Sequence, residues 1–369
     1  SDLYVFHLRG NARTSGEQRR KEKGNVFGEG TRTPISISVF VKNPDAAAHG
    51  RIFFHDIGDY LDQKQKLSKV REFGSIGGIA KAEGWQLIEP DEHNDWLNQR
   101  DISFDKHIKI GENKAALKLF ETYTAGVKTN RDAWCYNYDR EQVSDAMMRC
   151  VRFYNQVSEL SEGGKKEIDF EKCSDPTKIS WSWVLRQKAE KGVRAEFSED
   201  RIVMASYRPF DSEWLYYDAL LNENRYLATS AFPTGSETNP IICVTGPSAG
   251  GDFSAFLTES VPNLHFVSTS QCFPLRVYEE QNETSGSDLF ASEVTDRGYR
   301  SRDAITDAGL AHFAAAYPGE EITKEDLFYY VYGLLHSDDY RRRYADNLSK
   351  ELPRIPCVKK AEDFWAFSR

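Results

Sequence analysis

The sequence predicts an α/β (mixed α+β) protein: the edge of a sheet, then a larger mixed region that closes in helices. Three observations carry this. Leu3–Leu8 and Ile35–Val41 are short β-branched and aromatic runs on either side of a basic segment punctuated by Gly24, Gly28 and Gly30. Residues 140–160 and 323–350 repeat apolar side chains at helical spacing. Residues 201–278 are short β-rich runs divided by Asn, Gly, Pro and Ser clusters.

In chain order, Ile35, Ile37, Val39 and Val41 alternate with Ser36, Ser38 and Phe40, so this strand should bury at least one face. The segment between the first two strands holds Arg13, Arg19, Arg20, Lys21, Lys23 and Arg32 and reads as a loop, mobile because like charges repel and few apolar residues anchor it. A solvated charged loop without a ligand is the plain alternative. Residues 51–57 form a strand, and 60–73 an amphipathic helix ended by Gly74. Ser75–Gly84 is turn material, 85–88 a short strand, and 89–110 a long ordered polar loop. Gly126–Asp132 is then a turn whose exposed tip carries Lys128, Thr129, Asn130 and Arg131.

Val143, Met147, Val151 and Tyr154 mark a helix over 140–160, and Trp181, Val184 and Leu185 should face inward from a second helix over 180–191. These aromatics read as core rather than as a base-stacking platform. Residues 281–302 hold little hydrophobicity and read as a mobile insertion. Thr323 and Asp326 make a capping-box start, Leu327, Val331, Leu334 and Leu335 the following stripe, and 338–350 a last helix before Pro353.

The 369 residues, with 22 Phe, 18 Tyr and 7 Trp, suffice for two packed domains and exclude a disordered chain. Net charge is −9, but residues 1–43 hold eight Lys or Arg against four Asp or Glu, leaving −13 on the remainder. Any nucleic-acid surface must therefore be local. The six cysteines, at 135, 150, 173, 243, 272 and 357, are widely spaced, and with no leader they read as reduced, buried cytosolic thiols. The scattered histidines give no zinc pattern, and no apolar run approaches the ~20 residues of a membrane span. Both ends read as cut from a longer protein.

The stretch LYVFHLRGNARTSGEQRRKEKGNVFGEGTRTPISISVFVKNP resembles the segment after the catalytic motif in the adenine-N6 methyltransferase region of type ISP restriction-modification enzymes. The blocks FHDIGDYL, FETYTAGVKTNRDAW, YRPFDSEWLYYD, HFVSTSQCFPLRVYEE and ITKEDLFYYVYGLLHSDDYRRRYADNLSKELPRIP continue the likeness in order. The resemblance implies that residues 1–57 are the last strands of a Rossmann-like methyltransferase sheet, and that 58–369 are a target-recognition domain with helical subregions at 139–192 and 303–352.

It further implies a cytoplasmic protein that binds double-stranded DNA. Its remaining partners are the nuclease, helicase-like motor and methyltransferase regions of the same polypeptide. Arg13, Arg19, Arg20, Lys21, Lys23, Arg32 and Lys128 would meet phosphates, with Thr129 beside them, while Asn130 and Arg131 would reach base edges. The two basic segments should face each other across a cleft. The alternatives are a non-catalytic module docking on a motor domain and a magnesium-dependent nuclease.

The chemistry of the parent is absent from this stretch. Gly246–Asp252 has Asp252 where a phosphate-binding Walker loop needs lysine. Asn43-Pro44 and Asn239-Pro240 lack the second proline and aromatic ring that hold a flipped adenine. Pro90-Asp91 with Glu112-Asn113-Lys114 fits the nuclease pattern only loosely, and His55, Asp56 and Asp59 read as helix-capping rather than metal-binding. No catalytic residue, no metal site and no cofactor is therefore expected here, whereas the parent would use S-adenosylmethionine, ATP and Mg.

Overall fold

The computed structural model describes residues 1–28, 30–112, 114–247, 249, 252–280 and 298–369. They separate into two compact units that divide between Asp101 and Ile102.

The first unit is built on a four-stranded sheet in the order β2-β1-β3-β4, with β1 Asp2–His7, β2 Ser36–Val41, β3 Arg51–Asp56 and β4 Gln86–Ile88. β1 pairs with β2, antiparallel from Asp2↔Val41 to His7↔Ser36. β1 runs parallel to β3, which is antiparallel to β4. Alternation turns Phe6 and Leu8 to one face, where they are buried with Val26, Ile57 and Ile79 under Leu67, Val70 and Phe73.

The covering helices follow from local chemistry. Asp62 and Gln65 form a reciprocal capping box that starts α2, Gln63–Phe73, and Gly74, with φ 64°, ends it. Asp56 and Asp59 are therefore not the caps; both pair with the Arg9 guanidinium, Asp56 at 2.7 Å. Ser75 caps a further short helix, α3 Ile76–Lys81, in a stretch expected to be a turn.

The buried face expected for β2 is not found. Every residue of β2 is exposed, Ile37 at 41% and Phe40 at 79%, and β2 is the outermost strand, with β1 as its one neighbour among the described residues. An apolar edge strand of this kind recruits other strands. Replacing Val39 and Phe40 by Lys is expected to leave stability within about 0.5 kcal/mol while reducing self-association of the chain in sedimentation velocity. Equal association by both proteins would exclude this edge.

The second unit contains two hydrophobic cores. One joins the helix Arg140–Glu159 to the strands Ile202–Arg208 and Asp211–Tyr216. Asp139 caps that helix, whose buried Val143, Met147, Val151, Tyr154 and Val157 give it one apolar stripe. The companion helix is shorter than expected, Trp183–Glu190; Leu185 is buried, Trp181 packs on the core, and Trp183 is 72% exposed.

The other core lies between the sheet of Ile241–Thr245, Ala255–Thr258 and Ser270–Pro274 and the C-terminal helices. Thr323 and Asp326 form the expected capping box of the helix Lys324–Leu335. Its Tyr330 stacks on Phe364 of the helix Ala361–Ser368 at 4.5 Å. Gly333 permits that approach, since a Cβ there would lie 2.2 Å from the Phe367 carbonyl oxygen.

The last expected helix, 338–350, is instead two pieces, Asp338–Arg343 and Ala345–Leu348. They break at Tyr344, whose ring packs on Phe104 at 4.8 Å and whose hydroxyl meets His107 Nε2 at 2.9 Å. Of the expected 281–302 insertion, 281–297 lie outside the described residues. Tyr299–Asp303 is a strand paired antiparallel with Arg276–Glu280. All six cysteines are free thiols; four are buried, and Cys173 and Cys357 are half-buried.

Candidate nucleic-acid interface

The basic segment of the first unit is anchored, contrary to the expectation of a mobile loop. Gly16–Glu22 forms a short helix, α1, carrying Arg19, Arg20 and Lys21. Three buried polar residues tie it down. The Glu22 carboxylate accepts from the Asn11 amide at 2.9 Å, and the Asn25 side chain donates to the carbonyls of Gly10 and Thr33 at 3.1 and 2.9 Å. The Lys66 ammonium donates to the carbonyls of Glu22 and Gly24 at 2.8 and 2.6 Å, and its burial lowers its pKa.

None of these three anchors was legible as such, because each stands in sequence as an ordinary surface residue. Lys66→Met is expected to leave two carbonyls without a donor, about 1–3 kcal/mol each. Faster amide exchange across residues 16–24 would register it, and unchanged exchange would show that Lys66 does not hold the segment.

This anchoring leaves the charges outward. Arg13, Arg20, Lys23 and Arg32 are exposed, and Arg19 and Lys21 half-exposed. Arg19, Arg20, Lys23, Asn25, Thr31 and Gln63 line a cavity of about 730 Å³. Arg20 pairs with Glu17 at 3.0 Å, both largely exposed, which contributes little. Arg13, Lys21, Lys23 and Arg32 have no ion pair among the described residues. The segment can therefore neutralise an anionic ligand without first breaking a strong internal pair.

The second unit treats its basic turn differently. Gly126, with φ 78°, starts it because a Cβ there would meet the Asn263 carbonyl at 2.7 Å. Lys128 and Asn224 exchange backbone hydrogen bonds of 2.8 and 3.0 Å. Asn130 is exposed with φ 56°, a left-handed conformation that asparagine tolerates, and Lys128 is half-exposed.

Thr129 and Arg131 are buried, at 1% and 2% exposure, so the expectation of an exposed Arg131 aimed at a base edge is corrected. Its guanidinium donates to the carbonyls of Ser180 at 3.3 Å, Thr129 at 2.8 Å and Leu221. It also donates to Ser182 Oγ at 3.0 Å and lies 3.7 Å from the Glu223 carboxylate. A planar fork with five donors suits such a hub, which joins the 128–131 turn to the 180–183 and 221–224 segments. What the turn presents outward is Lys128 and Asn130.

The residues of the other candidate chemistries have local partners. Asp91 accepts from the amides of His93 and Asp95 in its own turn, Glu112 pairs with Lys109, and Asn113 lies outside the described residues. His55 Nδ1 meets the Gly84 carbonyl at 2.6 Å. No helix among the described residues is long and apolar enough to cross a membrane.

A family model of the Type ISP C-terminal specificity domain matches residues 118–369. Three solved structures resemble the whole chain. The ATP-dependent Type ISP restriction-modification enzyme LlaBIII bound to DNA has 31% identity and a TM-score of 0.83 over 100% of this chain and 23% of that one. A nuclease-deletion mutant of the Type ISP enzyme LlaGI in complex with a DNA substrate mimic has 35% identity and a TM-score of 0.80, again over 100% of this chain and 32% of the other. The DrdV–DNA complex has 28% identity and a TM-score of 0.82, covering 100% and 34%. Comparison with curated proteins returns no match. The chain thus spans 23% to 34% of these larger polypeptides, and it belongs to the Type ISP restriction-modification enzymes, with their C-terminal specificity domain at residues 118–369.

Proposed function

We propose that this chain recognises a DNA sequence on behalf of a Type ISP restriction-modification polypeptide and is not itself catalytic. The observation that carries the reading is its full-length match, at 31% and 35% identity, to two Type ISP enzymes whose structures hold DNA or a DNA mimic. Arg13, Arg19, Arg20, Lys21, Lys23, Arg32 and Lys128 are the groups proposed to meet phosphates, and Asn130 a group proposed to reach a base edge. Thr129 and Arg131 act beneath that surface by fixing the turn.

In the same reading residues 1–57 belong to a methyltransferase sheet, and the single-neighboured, exposed β2 supports a continuation of that sheet beyond its free edge. S-adenosylmethionine, ATP and Mg would serve the other regions of a cytoplasmic enzyme. The residues here do not fit a phosphate-binding loop for ATP, since Asp252 stands where lysine would be needed.

The test is selection of duplexes from a randomised pool, followed by a salt titration of affinity. Enrichment of one sequence with a steep salt slope is expected. Binding without sequence preference would remove target recognition. Binding of a motor-domain polypeptide with no duplex enriched would favour the docking module that the −13 charge of residues 44–369 permits.

A further inference from the structure

Phe210 is 98% exposed, the most exposed large apolar side chain among the described residues, and its backbone φ is +63°. It occupies the second loop position of the tight turn Arg208-Pro209-Phe210-Asp211 between the strands Ile202–Arg208 and Asp211–Tyr216, with Arg208 and Asp211 paired across it. A positive φ at that position ordinarily selects glycine or asparagine, and a bulky aromatic there is strained. The ring gains little in return, making one edge-to-face contact with Phe256 at 5.6 Å. Strain held at an exposed apolar tip points to a ligand rather than to the fold.

The surroundings say which ligand. Arg208, next to the tip, lays its guanidinium over the Tyr207 ring at 3.9 Å and donates to Asn263 Oδ1 at 2.9 Å; it has no ion pair among the described residues. The Asp132 carboxylate accepts from both the Thr129 and Tyr207 hydroxyls, so one group fixes the Lys128–Arg131 turn and the strand that carries the tip. An apolar wedge beside a guanidinium that makes no ion pair among the described residues, braced against a basic turn, matches duplex DNA, which offers phosphates on its rim and a stack of apolar faces within.

We propose that Phe210 inserts between adjacent base pairs of the bound duplex and unstacks one step, with Arg208 on the flanking phosphate. This rests on the DNA-recognition reading above and adds a distortion at a defined step.

The test uses this chain and the duplex it enriches from a randomised pool, with 2-aminopurine placed at successive positions. Binding is expected to raise fluorescence at one step. Phe210→Gly should abolish that rise, weaken affinity roughly 5- to 150-fold, as for loss of one base-stacking aromatic, and raise the melting temperature by relieving the strained φ. Phe210→Trp should keep the fluorescence rise. If the unsubstituted chain enriches no duplex, the recognition reading falls and the wedge with it. If it enriches one and Phe210→Gly binds and unstacks it equally, the wedge alone falls. Loss of binding to the rest of the polypeptide, with DNA binding intact, would make Phe210 a protein-docking residue and also overturn the proposal.

Discussion

Arg131→Ala is expected to destabilise the second unit by about 3–5 kcal/mol, the usual penalty for removing one partner of a buried ion pair. The substitution strips donors from three carbonyls and from Ser182 Oγ, and leaves the half-buried Glu223 carboxylate with its Ser182 hydrogen bond but without the guanidinium 3.7 Å away. Arg131→Lys should recover only part of this, because an ammonium is a point donor and cannot span Ser180, Leu221 and Ser182 at once. Thermal and urea unfolding of the three proteins measure the effect. A destabilisation under 1 kcal/mol for Arg131→Ala would return Arg131 to the pool of residues free to reach a base. The same experiment protects the functional reading, since weaker DNA binding by an Arg131 variant would report a collapsed turn rather than a missing base reader.

Arg131 also shows where sequence reasoning stops. An arginine after Gly-Val-Lys-Thr-Asn in a turn reads as exposed, because arginine is seldom fully buried. Its burial depends on Ser180, Leu221 and Glu223, which lie far along the chain and carry no local mark of the interaction. What was legible rests on local rules: the pairing of β1 with Ile35–Val41, the capping box at Thr323, the stripe of the 140–159 helix and the stop at Gly74. What was misread depends on neighbours. The alternation in β2 is real, yet its faces are left exposed by the described residues, and Tyr344 breaks a helical stretch because its ring is drawn onto Phe104. The anchored basic segment belongs to the same class, since the buried Lys66 comes from a helix some forty residues on.

Replacing Arg19, Arg20, Lys21 and Lys23 together by Ala is expected to weaken binding to every duplex and to flatten the salt dependence by about 0.9 logarithmic units for each phosphate left unneutralised. Glu22, Asn25 and Lys66 hold the segment through backbone and buried groups that the four substitutions leave in place, and alanine favours the helical conformation of Gly16–Glu22. The electrostatic effect should therefore not arrive through unfolding, which circular dichroism and amide exchange of residues 16–24 would check. Because phosphates carry no sequence information, the ranking of duplexes selected by the unsubstituted chain should survive while all affinities fall together. A variant that keeps its slope and affinity would take this helix off the DNA surface. One that keeps affinity for random duplexes but no longer prefers the selected sequence would make these four residues readers of bases, a role for which the floppy stems of lysine and the open exposure of Arg20 are poorly suited.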